Sequence, residues 1–186
     1  MRCFVAIDID EAVREDVRRL QETMRQEADL KRSEAKWVEP ENMHVTLKFL
    51  GEVRDQEIAE VCRIVNETAA DHGRFSLEIE GVGTFGRPAR VVWSGMSGEA
   101  DLVALQKDLD GRLAEAGWPS ENKEFTAHLT LCRVKSTRAG KVLHGVVERH
   151  AAERLGTVFV DSICVYRSDL MSTGPVHTVI SRSMLT

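Results

Sequence analysis

The segments MHVTLKFL at 43–50 and FTAHLTLCRV at 125–134 share a core: His44-Val45-Thr46-Leu47 in the first, His128-Leu129-Thr130-Leu131 in the second. Alternating aliphatic and polar residues make both read as strands. With a period of two, His44 and Thr46 share one face while Val45 and Leu47 take the other. His128 and Thr130 are backed in the same way by Leu129 and Leu131. Each segment is thus expected to bury two aliphatics and present an imidazole beside a hydroxyl. A single His-x-Thr carries little weight, but two copies in similar surroundings are the pattern of a duplicated unit.

The flanking sequence repeats in the same order. Residues 2–8 read as a strand, and Asp10 is placed to cap a helix with the stripe Val13, Val17, Leu20 and Met24. After the turn WVEPEN and the first histidine strand, a helix from about Asp55 carries Ile58, Val61, Cys62 and Val65. FSLEIE at 75–80 alternates strictly. The second series runs through the strand RVVWSG and a helix marked by Leu102, Leu105, Leu109 and Leu113 that Gly117 is placed to end. The second histidine strand comes next, then a short helix with Val142, Leu143, Val146 and Val147, and the strand TVFVDSICVY. HTVISRSML supplies a last one. The expectation is one bilobal, pseudo-symmetric α/β domain over 1–186, with repeat-like halves of about 1–84 and 90–166 and a closing strand at 176–185. Two largely antiparallel sheets flanked by helices are expected around a central groove.

Bulk properties narrow the class. A chain of 186 residues with 42% hydrophobic and 30% charged residues can bury a core without disulfides or metal. The four cysteines, Cys3, Cys62, Cys132 and Cys164, are scattered and form no close Cys/His set, so they read as reduced thiols of a cytoplasmic protein and not as a zinc site. No stretch approaches the roughly 20 apolar residues of a membrane span. A net charge of −5 argues against a broad nucleic-acid-coating face and for a local pocket that grips an end.

Two histidines facing one groove suit in-line displacement at a phosphodiester. A neutral imidazole accepts a proton from the attacking water, and an imidazolium donates one to the departing oxygen. The threonine hydroxyls are candidates to hydrogen-bond the non-bridging oxygens. No metal or other cofactor is called for.

These motifs resemble those of the two-histidine (2H) phosphoesterases, most closely the RNA 2′,3′-cyclic phosphodiesterases of the 2′-5′ RNA ligase branch. RCFVAIDI resembles the family's opening strand, WVEPENMHVTLKFLGEV its first motif, and GVGTFGRPARVVWSG its middle hairpin. FTAHLTLCRV resembles the second motif, and YRSDLMSTGPVHTVISRSML the closing strands. The resemblance implies a bilobal fold and opening of a terminal 2′,3′-cyclic phosphate to a 2′-phosphomonoester without an essential metal. It implies that His44, Thr46, His128 and Thr130 form the catalytic set, with His128 as general base and His44 as the acid that protonates the 3′-oxygen. Arg133 matches the family's arginine and is a candidate phosphate contact. The chain departs from the family at Ala127, where a proline is usual. Arg133 would point away from His128 in a regular strand, so its role requires a bulge or a strand end.

Other residues are weaker candidates. Lys48 shares a strand face with His44 and is either a lure for phosphate or a solvated lysine. Phe4 is a base-stacking candidate or a core residue; Phe49 and Phe125 read as core. Arg87 and Arg90 flank Pro88 in a turn that either lines the groove or lies on the surface. His72, His144, His150 and His177 lack the motif and read as surface or helix-end residues, and Trp37, Trp93 and Trp118 as packing. The competing functions are cleavage of 2′-5′ oligoadenylates, opening of small cyclic nucleotides, 2′-5′ ligation of RNA, a metallohydrolase, and a non-catalytic RNA-end binding module. The partners expected are RNA ends or nucleotides carrying the cyclic phosphate, no membrane, and no second copy of the chain.

Overall fold

The computed structural model describes residues 1–121, 124–171 and 174–186. The chain forms β1 (Arg2–Asp8), α1 (Glu11–Ala28), β2 (Ala35–Trp37), β3 (His44–Glu52), α2 (Ile58–Ala70), β4 (Phe75–Phe85) and β5 (Val91–Ser97). It continues through α3 (Ala100–Glu115), β6 (Leu129–Val134), α4 (Thr137–Arg149), β7 (Arg154–Val160), β8 (Ser162–Met171) and β9 (Gly174–Met184). The strands build two sheets, one ordered β3-β1-β8-β9 and the other β2-β6-β5-β4-β7. All pairings are antiparallel.

The sheets exchange strands between the two ends of the sequence. β1 and β3 lie in the first sheet but β4 in the second; β5 and β6 lie in the second but β8 in the first. The helices cross over too: α1 and α4 cover the second sheet, α2 and α3 the first. Each apolar stripe is used as its spacing predicts. Val13, Val17, Leu20 and Met24 of α1 are buried, and Leu102, Leu105, Leu109 and Leu113 of α3 are inaccessible. Gly117 follows α3 with φ of 105°, a conformation glycine adopts without penalty.

Three readings require correction. TVFVDSICVY is two strands, because the chain leaves the second sheet at Val160, turns at exposed Asp161 and enters the first sheet at Ser162. The second histidine strand begins at Leu129, paired with Ser94, so His128 stands just outside the ladder. Asp10 precedes α1, but its carboxylate accepts the Phe159 N–H at 3.0 Å and does not cap the helix. The four cysteines are free. Among the described residues no helix is long and apolar enough to cross a membrane.

Candidate active site

β3 and β6 carry the two motifs into one cavity of about 590 Å³, lined by His44, Thr46, His128, Thr130 and Arg133. The motif aliphatics Val45, Leu47, Leu129 and Leu131 are buried behind them. Each imidazole is oriented by the same local device. His44 Nδ1 donates to the Asn42 carbonyl at 2.9 Å, and His128 Nδ1 to the Thr126 carbonyl at 2.8 Å. A carbonyl only accepts, so the proton of each neutral ring is placed on Nδ1 and Nε2 carries the free lone pair.

Both motif strands bulge at the fourth residue of the motif, Leu47 and Leu131. Val5 pairs with Lys48 and Ala6 with Thr46, leaving Leu47 over; Val92 pairs with Cys132 and Trp93 with Thr130, leaving Leu131 over. The extra residue shifts the alternation beyond it. Arg133 therefore turns toward the cavity, as does Phe49 at the equivalent place on β3. The carbonyls at the bulges are taken by helix glutamines: Gln21 Nε2 donates to Leu131 at 2.9 Å, and Gln106 Nε2 to Leu47 at 3.3 Å.

The bulge also overturns the reading of Lys48. It is 3% exposed, and its Nζ donates to Asp110 Oδ1 at 2.5 Å and to the Pro119 carbonyl at 2.6 Å, so it ties β3 to α3 and its charge is already met by a carboxylate. Phe49 is 58% exposed and not core. Half-buried Phe125 joins Phe49 and Phe85 in lining an adjoining compartment of about 590 Å³ that also meets Thr46, His128 and Gln106, with Glu121 and Glu124 at its margin.

Phe4 is buried and stacks on His44, ring centroids 4.6 Å apart, and on Tyr166 at 5.1 Å, with Tyr166 itself 6.0 Å from His44. It packs against the His44 ring and lines the cavity beside it. His177, from β9, stands edge-on to His44 at 5.3 Å and lines the cavity. Reading it as a surface residue misses this, because β9 reaches His44 only through the curvature of the first sheet; Asn42 Nδ2 donates to the Pro175 carbonyl at 3.3 Å beside it. Burial pushes His44 down to about 4, and the charge of His177 adds to that; the Asn42 carbonyl and Asp8 oppose it. Burial lowers His177 as well. Arg87 and Arg90 are exposed at the β4–β5 turn, and neither lines the cavity. His72, His144 and His150 are tied to carboxylates away from it. Among the described residues no group of His, Cys, Asp and Glu is arranged to hold a metal.

A model of the family described as LigT-like phosphoesterases matches residues 7–93 and 96–177. A protein of Methanothermobacter thermautotrophicus named RNA 2′,3′-cyclic phosphodiesterase is 34% identical over 180 residues, 96% of this chain and 95% of that one. One of Aquifex aeolicus with the same name is 33% identical over 190 residues, 100% of this chain and 97% of that one. The crystal structure of Escherichia coli LigT complexed with 3′-AMP superposes with a TM-score of 0.77 at 25% identity, covering 100% of this chain and 98% of that one.

Proposed function

The chain belongs to the family of LigT-like phosphoesterases, and from that premise we propose that it hydrolyses the 2′,3′-cyclic phosphate at RNA ends to a 2′-phosphomonoester. The observation that carries this reading is the convergence of two Nδ1-anchored imidazoles and two threonine hydroxyls on one cavity. His128 Nε2 removes a proton from water as the oxygen attacks phosphorus. The bond from phosphorus to the 3′-oxygen breaks, and His44 Nε2 supplies the proton that oxygen takes up. Thr46 and Thr130 donate to the non-bridging oxygens, where negative charge builds, and Arg133 adds its charge from the cavity wall. The aromatic compartment of Phe49, Phe85 and Phe125 takes the terminal base, since unpaired bases stack on such rings.

His44 is neutral in the free protein at neutral pH. It becomes an acid when the substrate anion arrives: an opposite charge within ~4–6 Å raises an imidazole pKa by about 1–3 units. The reading places the protein in the cytoplasm, with its RNA. The test is incubation of an oligonucleotide ending in a 2′,3′-cyclic phosphate, with chelator present. A 2′-phosphate is expected; a 3′-phosphate would reverse the leaving group, and the absence of product would overturn the hydrolytic reading.

A further inference from the structure

On the groove face of the second sheet one row of side chains crosses four strands. Phe85 of β4 pairs with Val91 of β5, Val91 with Arg133 of β6, and Arg133 with Lys36 of β2. Directly paired residues share a face, so Lys36 extends the row that Phe85, Val91 and Arg133 present to the cavity. Its ammonium reaches the start of β9 in the facing sheet, where a Cβ at Gly174 would lie 3.5 Å from Lys36 Nζ.

Two like charges set directly opposite one another destabilise a sheet. Here neither has an ion-pair partner among the described residues, and Glu34, one residue before β2, is held by Arg138 at 2.8 Å. Arg63, Arg112, Arg149 and Arg167, by contrast, each meet a carboxylate. The exposed Lys36–Arg133 pair thus sets two positive charges opposite one another on the sheet without a carboxylate between them. A bound anion would relieve it.

The location identifies the anion. Thr130 pairs with Trp93, and the Arg133 row is the next groove-facing row along the strand, about 7 Å on. That is one step from the reacting phosphorus along a nucleotide chain. The groove is also polar in charge. Glu121 and Glu124 border the aromatic compartment, whereas Arg133 and, from the facing sheet, Arg2 line the other. A polyanion entering with its end at the histidines leaves by the cationic side.

We propose that Lys36 and Arg133 form a subsite for the phosphodiester preceding the cyclised nucleotide, so that the protein selects polynucleotide ends over free mononucleoside 2′,3′-cyclic phosphates. The inference rests on the hydrolytic reading above and adds substrate length to it.

The test compares kcat/KM for an adenosine dinucleotide ending in a 2′,3′-cyclic phosphate with that for adenosine 2′,3′-cyclic phosphate. Wild-type protein favours the dinucleotide. Lys36→Gln lowers the ratio roughly tenfold, the scale of one charge-assisted contact, and makes the salt dependence for the dinucleotide shallower by about 0.7 in log–log slope. Lys141→Gln, which removes an exposed charge from α4, keeps the wild-type ratio. Equal use of both substrates, or an unchanged ratio in Lys36→Gln, overturns the subsite and leaves hydrolysis standing. If neither substrate turns over, hydrolysis itself falls. Calorimetric binding of the corresponding 2′-phosphate mono- and dinucleotides then judges the subsite: a dinucleotide preference lost in Lys36→Gln supports it, and no preference overturns it.

Discussion

The side-chain amide of Gln21 on α1 reaches the carbonyl of Leu131 on β6 at 2.9 Å, across 110 residues of sequence, and donates to the Val38 carbonyl at 2.8 Å as well. Leu131 is the bulged residue that turns Arg133 into the cavity. A buried glutamine, 2% exposed, thereby holds a backbone irregularity on which the site depends. Gln21→Leu is expected to destabilise the fold by about 1–3 kcal/mol, the cost of buried acceptors losing a donor, and to lower kcat/KM in the remaining folded protein. Urea unfolding and kinetics on the same preparation check both. Full activity beside a full stability loss would mean that the bulge holds without the glutamine.

Thr46 and Thr130 stand two residues after their histidines, before each bulge, so both line the cavity beside the imidazoles. Threonine to valine at either site keeps the shape and removes a donor. Loss of one such donor costs about 10²–10³ in kcat. Single-turnover rates of the two variants measure it, and a rate within a factor of two of wild type would take that threonine out of the mechanism.

The two histidines are anchored alike, so their roles separate through electrostatics. His44→Ala and His128→Ala should each lower kcat by roughly 10²–10⁴. In the free protein His44 titrates at about 4. If it is the acid, it must be protonated, and kcat/KM, which reports the free protein, declines as pH rises through about 4. The corresponding limb of kcat, which reports the complex, lies higher because the bound phosphate favours the imidazolium. If His44 is the base, it must be neutral, and activity is lost instead as pH falls through about 4. The two pH profiles, taken together, decide between these assignments.

The fold was legible wherever one periodicity governed a whole element. The stripes of α1 and α3 and the alternation of β3 from His44 to Leu47 each bury a single face, and one face is all that a sequence pattern encodes. The convergence of His44 and His128 was legible because the motif occurs twice. What was not legible changes register or arrives from far away. Phe49 and Lys48 exchange faces because of the bulge at Leu47; the aliphatic spacing does signal it, as Val45, Leu47 and Leu50 break the two-residue step, and Leu129, Leu131 and Val134 break it at the same place. His177 has no local mark, since the approach of β9 to His44 is a property of the curved sheet.

Lys48 makes a stability prediction where the sequence offered a phosphate contact or a solvated lysine. Its ammonium is almost fully enclosed between Asp110 and the Pro119 carbonyl. Lys48→Ala leaves Asp110 without its partner and opens a gap beneath β3. Breaking a buried pair in this way costs about 3–5 kcal/mol, whereas replacing both partners by apolar residues of similar size is often near neutral. The double variant Lys48→Met/Asp110→Leu should therefore recover much of the lost stability in urea melts. Recovery no better than Lys48→Ala alone would show that the Pro119 carbonyl, not the carboxylate, is the partner that matters.

His177 tests how strongly one ring tunes another. It stands edge-on to both Phe4, at 5.0 Å, and His44, at 5.3 Å, so His177→Phe preserves the aromatic packing while removing a titratable charge. Asp8 and Arg14 also bear on His44, with opposite signs, and remain in the variant. The positive charge of His177 disfavours the His44 imidazolium, so its removal raises the His44 pKa and moves the limb of kcat/KM near pH 4 toward neutrality. A purely packing role moves KM or stability but leaves that limb in place, so an unshifted limb in a folded, active variant would assign His177 to shape alone.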